Sequence, residues 1–324
     1  MIRPLSLPSP DVSYWQTPEI NLFGWQLGSL TIHFYALCII AGIILAGIWT
    51  SRRLTARGGE RGVVFDFVVW SVLLGIVGAR AYHVLTHWGD YFVAGKEWWN
   101  PFEQNAIWNI WDGGIAIFGA LIGGGIGVFI ASRLTGVRWL SFADALVPGL
   151  LLAQAFGRLG NYFNHELFGG PTTLPWGLEI ESSNSAFPIG LPDGTLFHPT
   201  FLYEIVWNLL GIVVLLWLER KLRLRWGRMF ALYLVWYGIG RAIIESMRVD
   251  PSLLILGLRT NVLAALVAIV LGILLYLVQR RRHVGTELSV YLPGRRNPND
   301  SVLHDTRDPE SYHHVIDRPN ATVE

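Results

Sequence analysis

Long apolar stretches alternate with short, charge-rich connections along this chain. Seven stretches, near 31–51, 63–86, 114–132, 141–160, 200–218, 229–247 and 260–279, are long enough to cross the hydrocarbon layer. A helix needs about 20 residues to span roughly 30 Å. Each stretch is predicted to be a transmembrane helix, so the fold class is an all-α polytopic membrane protein with seven transmembrane helices. Two connections are unusual. The loop 87–113 carries Trp88, Trp98, Trp99, Trp108 and Trp111 with Tyr91 and Phe92, a density of aromatic rings suited to the headgroup layer. It is predicted to lie on the membrane surface. Residues 161–199, rich in Gly, Pro, Ser and Asn, predict a small head insertion. Residues 1–30 form an N-terminal segment ahead of the first span. Residues 283–324 turn polar and aperiodic and are expected to be a disordered tail.

The basic residues orient this pattern. Arg52, Arg53, Arg57 and Arg61, then Arg133 and Arg138, then Arg220, Lys221, Arg223, Arg225 and Arg228, then Arg280–Arg282 crowd alternate connections. The others hold few, chiefly Lys96, Arg248 and Arg259. With the basic set in the cytoplasm, seven spans place the N-terminus outside and the C-terminus inside, and one orientation accounts for every loop. Met1–Glu19 lacks a basic-then-apolar pattern, so a cleaved signal peptide is not expected and the first span is expected to direct insertion.

Composition agrees with this reading: the 324 residues are 52% hydrophobic and 15% charged, which excludes an ordinary soluble domain. The lone Cys38 sits in an apolar run and cannot build a disulfide framework or a thiolate metal site within one chain. His304, His313 and His314 lack ligand spacing, and there is no phosphate-binding loop. No metal, no nucleotide cofactor and no nucleic-acid partner is expected. The glycines of Gly119-x-x-x-Gly123-x-x-x-Gly127 share one helical face and predict close helix packing.

Ionisable side chains at membrane depth are costly and mark function by default. Here they gather toward the outer side: His33 and Tyr35 at the first span, Arg80, Tyr82 and His83 in the second, and Gln154 and Arg158 in the fourth. His198, Tyr203 and Glu204 open the fifth, and Arg241, Glu245 and Arg248 share one face of the sixth. Asp66 and Asp144 lie near the inner edge. Surplus positive charge in a low-dielectric site asks for an anion, and at the outer leaflet the abundant anion is a lipid phosphate.

The stretch from Gly157 to Gly169, Gly-Arg-Leu-Gly-Asn-Tyr-Phe-Asn-His-Glu-Leu-Phe-Gly, closely resembles the signature of prolipoprotein diacylglyceryl transferases, bacterial inner-membrane enzymes. Further matching pieces follow in order: Tyr35; Gly78-Ala79-Arg80; Trp111-Asp112-Gly113-Gly114; His198-Pro199-Thr200 with Tyr203-Glu204; and Tyr237-Gly238-x-Gly240-Arg241 with Glu245 and Arg248. The resemblance implies that 31–282 is a seven-helix catalytic domain in the inner membrane. It would transfer the diacylglyceryl group of phosphatidylglycerol to the lipobox cysteine of a prolipoprotein, releasing glycerol phosphate. Arg158, Arg241, His198 and Glu245 are the candidate catalytic residues. Arg158, Asn161, Gly169, Tyr35, Arg80 and Glu166 are the candidates for phosphatidylglycerol binding. Arg158 is expected to grip the phosphate, Arg241 to hold the leaving phosphate or the incoming thiolate, and Glu245 to orient Arg241. Where many relatives continue to a His-Gly-Gly, whose histidine has been considered the general base, this chain reads Phe118-Gly119-Ala120. The proton acceptor is left open between electrostatic stabilisation of the thiolate, His198, and Glu245. A lipid or solute transporter and an inactive scaffold are the rival readings; polarity on one side and the lack of an internal repeat argue against transport.

Overall fold

The computed structural model describes residues 6–295 except 20, 23–24, 27–28, 94, 96, 101–105, 111–112, 251–253, 256, 284 and 286. Trp111-Asp112 and the three tail histidines lie outside these. The helices among the described residues are α1 (Phe34–Ala56), α2 (Val63–Thr86), the single turn α3 (Trp88–Tyr91), α4 (Ile117–Thr135), α5 (Trp139–Phe163), α6 (Thr200–Leu222), α7 (Arg228–Glu245) and α8 (Thr260–Arg282). Each predicted apolar stretch lies on one long helix. At α1, α6 and α8 the helix continues past the apolar window into Arg52–Arg53, Arg220–Lys221 and Arg280–Arg282. Arginine and lysine are good helix formers and favour the carboxyl end of the helix dipole, where hydropathy sees only charge. Six helices, α1, α2, α4, α5, α6 and α8, are long and apolar enough to cross a membrane. α7 has 18 residues and carries Arg228, Arg241 and Glu245. The protein is a mostly helical, multi-pass membrane protein.

The described residues fall into two compact units, one within Met1–Thr50 and Ala143–Thr286, the other within Ser51–Phe142 and Glu287–Glu324. In the second unit α2 and α4 approach until backbone meets backbone. A Cβ on Gly119 would lie 2.2 Å from the Gly78 carbonyl oxygen, on Gly123 2.0 Å from that of Leu74, and on Gly127 2.3 Å from that of Trp70. The glycine stripe is therefore a packing device, as its spacing predicts. Gly123→Leu is expected to destabilise the protein at the upper end of the roughly 1–3 kcal/mol that overpacking costs. Thermal unfolding of the detergent-solubilised variant measures it, and an unchanged midpoint would contradict so close an approach.

Part of the expected disordered tail is ordered in this unit. Val290 and Tyr291 are buried, Arg138 Nε donates to the Tyr291 carbonyl at 2.8 Å, and the Tyr291 hydroxyl accepts from the Glu60 amide at 2.9 Å. Residues 287–295 thus pack on the chain reversal between α4 and α5, because two apolar side chains in a polar stretch find a place to bury. Residues 296–324 lie outside the described set.

In the first unit, α5, α6 and α7 share a core of Val147, Leu151, Ile212, Leu215, Met229 and Tyr233. α7 begins where the buried Asp144 carboxylate accepts from the amides of Gly227 at 2.8 Å and Phe230 at 2.9 Å. An anion on the free amides of a helix start is favourable, which accounts for this charge without invoking catalysis. Between α5 and α6, residues 164–199 have a small core of their own, Phe168, Leu178, Ile180 and Phe197, around an antiparallel pair, Leu178–Glu179 with Leu196–Phe197. The N-terminal segment joins it through a parallel bridge from Leu7 to Leu178.

Candidate active site

α5 ends in a reversal that its sequence makes costly. His165 and Leu167 take left-handed backbone, φ 51° and 62°, which non-glycine residues adopt only where surrounding contacts enforce it. Those contacts are present. The Gly169 amide donates to the His198 carbonyl at 2.9 Å, the Gly170 amide to that of Met247 at 2.9 Å, and the His198 amide to that of Gly170 at 3.0 Å. Thr200 Oγ1 donates to the Leu167 carbonyl. A Cβ on Gly169 would come within 2.8 Å of His198 Cβ, so only glycine lets these segments close.

Inside this clasp is a cavity of about 290 Å³ lined by Tyr35 of α1; Gln154, Gly157, Arg158 and Asn161 of α5; Leu167; Glu204, Trp207 and Asn208 of α6; and Tyr237, Gly240, Arg241 and Ile244 of α7. Glu204 stands between two arginines. Arg158 Nε lies 2.5 Å from Glu204 Oε2 and Arg241 Nη1 3.8 Å from Oε1. On its other side Arg241 Nη2 meets Glu245 Oε2 at 3.0 Å. Glu245 is fully buried and also receives Arg248 Nη1 at 3.4 Å, Arg259 Nε at 3.0 Å and Asn261 Nδ2 at 3.0 Å. Asp250 takes Arg248 Nε at 2.7 Å and Arg259 Nη2 at 3.2 Å. Four arginines against three carboxylates leave this network one positive charge in surplus. Arg241 Nη1 is buried and makes no hydrogen bond among the described residues. An unfilled charged donor facing a cavity is a place prepared for an anionic oxygen.

Glycines of α6 and α7 set this geometry. A Cβ on Gly240 would lie 2.1 Å from Trp207 Nε1, on Gly211 2.4 Å from Trp236 Nε1, and on Gly238 2.6 Å from the Ala265 carbonyl oxygen. Trp207 and Trp236 stack at 4.4 Å, and each indole donates to the other's backbone carbonyl, at 3.2 and 3.3 Å. The reciprocal pair locks α6 to α7, with Trp207 against Gly240, the residue before Arg241, which fixes where its guanidinium points.

Of the residues singled out from sequence, Tyr35, Arg158, Asn161 and Arg241 line the cavity. Asn161 joins the site to Glu166: Arg158 Nη1 donates to Asn161 Oδ1 at 3.2 Å and Asn161 Nδ2 to Glu166 Oε1 at 2.8 Å. Glu166 thus holds Asn161 in place. Gly169 does not line the cavity; its amide donates to the His198 carbonyl, and it shapes the site through close packing. His198 does not line the cavity either; its Nδ1 lies 3.1 Å from the Tyr203 hydroxyl, which also accepts from Trp176 Nε1 at 3.2 Å. Glu245 is held by three arginines and an amide, and all of its contacts lie within this network.

Arg80 requires the clearest correction. Its five N–H groups all donate to backbone carbonyls within its own unit: Nε to Ile107, Nη1 to Gly113 and Gly114, Nη2 to Ala106 and Asn109, at 2.8–3.1 Å. The guanidinium also stacks over Tyr91 at 5.0 Å. An arginine has five donors, so none is left for a lipid phosphate. Arg80 organises the aromatic loop. Phe118, in the same unit, faces Tyr82 with ring centroids 6.2 Å apart and supplies no proton acceptor.

Beyond α5, His165 Nδ1 sits 3.0 Å from both Glu181 oxygens and its Nε2 2.7 Å from the Pro10 carbonyl oxygen. Burial pulls the Glu181 pKa upward, yet the hydrogen bond from His165, that from a backbone amide, the His165 charge and the Asn184 amide together hold it below the usual carboxylate range. The stabilisation this carboxylate contributes is present above its ordinary pKa and is lost as pH falls through the lowered one.

Glu204, Asn208, Arg259 and Asn261 are the residues sequence reasoning left without a role. Their signal was spacing: Glu204 and Asn208 are four apart on one face of α6, as Gln154 and Arg158 are on α5.

The sequence profile of the family described as prolipoprotein diacylglyceryl transferase matches residues 23–278. A protein of Leifsonia xyli subsp. xyli named phosphatidylglycerol–prolipoprotein diacylglyceryl transferase is 59% identical over 320 residues, 98% of this chain and 94% of its own length. Proteins of the same name from Cutibacterium acnes and Paenarthrobacter aurescens are each 44% identical, over 87% and 97% of this chain and 89% and 100% of their own. The matched stretch contains every residue that lines the cavity and every arginine and carboxylate of the network behind it, and on that footing the chain belongs to the prolipoprotein diacylglyceryl transferase family.

Proposed function

We propose that this chain transfers the diacylglyceryl group of phosphatidylglycerol to the lipobox cysteine of prolipoproteins, making a thioether and releasing glycerol phosphate. Seven helices, α7 included, cross a bacterial inner membrane with the N-terminus outside, and the cavity opens toward the outer leaflet. The observation that carries this reading is Arg241 Nη1, a buried donor without a hydrogen-bond partner, facing a cavity it shares with Arg158. Ligand sites run from roughly 300 Å³ upward, so this one suits a lipid headgroup and leaves the acyl chains to the bilayer.

The phosphate of the lipid lies between Arg158 and Arg241 and takes the space where Glu204 now bridges them. Asn161, steadied by Glu166, orients Arg158. The peptide thiolate attacks the diacylglyceryl carbon that bears the phosphate; the carbon–sulfur bond forms as the carbon–oxygen bond breaks, and the electron pair stays on the phosphate. A singly charged diester becomes a doubly charged monoester. Two guanidiniums therefore bind the departing group more strongly than the substrate, which is the condition for lowering the barrier. The thiol proton ends in solvent or on the released phosphate. A free thiol has a pKa of about 8.5, and the surplus positive charge of the site raises its thiolate fraction, so no dedicated base is required. Glu245 is a positioning residue that holds Arg241.

His198→Ala is accordingly expected to retain transfer within about tenfold and to keep the acidic limb of its pH–rate profile. Loss of that limb would restore His198 as the base. The function itself is tested with proteoliposomes containing phosphatidylglycerol labelled in its glycerol backbone, and a lipobox peptide. Labelled thioether product, absent with a Cys→Ser peptide, supports enzymatic transfer; lipid movement across the bilayer without product would support the transport reading instead.

A further inference from the structure

Beneath the arginines lies a second tier of the cavity with no charge. One helical turn inward from Arg158 on α5 is Gln154, from Glu204 on α6 is Asn208, and from Arg241 on α7 is Tyr237, each four residues away on the same face. α5 and α7 run toward the arginine tier and α6 away from it, so all three steps go the same way. A turn rises about 5.4 Å. Asn208 is 6% exposed and lines the cavity. Gln154 gives its Nε2 to the Tyr233 hydroxyl at 2.8 Å and leaves Oε1 buried without a partner. A buried amide oxygen without a partner is costly, and here Gln154 Oε1 stands in a cavity that the Asn208 amide also lines.

We propose, building on the function above, that Asn208 and Gln154 form a polyol subsite which recognises the hydroxyl groups of the lipid's headgroup glycerol. Gln154 Oε1 needs a donor, and the Asn208 amide offers both a donor and an acceptor. A hydroxyl supplies both roles, whereas an ester carbonyl only accepts. An ammonium headgroup would call for a carboxylate, and this tier has none. A glycerol linked to a phosphate held by Arg158 and Arg241 reaches about one helical turn, the spacing between the tiers. The subsite gives the enzyme headgroup selectivity that two arginines alone cannot, because guanidiniums read only the phosphate.

The test compares phosphatidylglycerol with phosphatidylpropanol, an anionic lipid of the same charge whose headgroup lacks hydroxyls, as donors to a lipobox peptide. The wild-type enzyme is expected to favour phosphatidylglycerol by about tenfold or more in kcat/KM, and Asn208→Leu to bring that ratio close to one. Replacing a cavity-lining amide by an apolar side chain of similar size is also expected to leave the thermal midpoint of the lipid-free protein unchanged or raised. A structural asparagine would lower it. Equal use of the two lipids by the wild type, or a ratio unaltered in Asn208→Leu, overturns the subsite. Absence of thioether product from wild type with phosphatidylglycerol overturns the transferase reading instead. The binding preference of each protein for the two lipids, read by native mass spectrometry, tests the subsite without turnover: a preference kept in Asn208→Leu and in Gln154→Leu removes it.

Discussion

Arg158→Ala is expected to lower diacylglyceryl transfer about a thousandfold or more while the protein still inserts in the membrane and unfolds at close to the wild-type temperature. Removing one preorganised donor from a developing oxyanion commonly costs 10²–10³-fold, roughly 3–4 kcal/mol, and Arg158 brings a full charge as well. Its partners in the lipid-free protein, Glu204 and Asn161, line the open cavity and are wetted when it leaves, so the fold is not left with a sealed, uncompensated charge. Initial rates with purified variant separate the two effects. Transfer at near wild-type rate would remove Arg158 from the phosphate site. Arg158→Lys keeps the charge and loses the forked geometry, and is expected to fall between the two.

Glu245→Leu is expected to fail differently. Glu245 is fully buried under Arg241, Arg248 and Arg259, and deleting it leaves like charges facing one another out of water. Breaking a buried pair in this way costs about 3–5 kcal/mol. The variant should show a sharply lowered thermal midpoint together with loss of transfer. Glu245→Gln retains an acceptor for Arg259 and Asn261, and should be less destabilised; its residual activity should keep the wild-type pH–rate shape. A stable, inactive Glu245→Gln protein that had lost one limb of that profile would make Glu245 the proton acceptor after all.

Much of this architecture is written in the sequence because bilayers impose it. An apolar run of some twenty residues has few alternatives, and a glycine stripe on α4 leaves a face that only another backbone can approach. Arg158 and Arg241 were legible for the same reason, since charge at membrane depth has to be accounted for. What escaped sequence reading depends on partners far along the chain. Arg80 looked like another lipid-binding arginine, and only the fold brings the carbonyls of Ala106 to Gly114 around it. Glu204 was visible as a charge, but its place between Arg158 and Arg241 is a matter of three helices meeting. Asn208 is an amide in an apolar span that reads as a tolerated polar residue until the structure places it in the cavity beside Gln154. Val290 and Tyr291 fall in Leu-Ser-Val-Tyr-Leu, a run of five residues too short to carry the periodicity that would announce a docking segment.

The reaction fixes which bond breaks, and oxygen isotopes read it directly. Transfer run in ¹⁸O-labelled water, with phosphatidylglycerol and a lipobox peptide, should yield thioether and glycerol phosphate in equal amounts with no solvent oxygen in the glycerol phosphate, because the thiolate attacks carbon and the bridging oxygen leaves with phosphorus. Labelled glycerol phosphate, or thioether formed without it, would contradict a site in which Arg158 and Arg241 hold a departing phosphate.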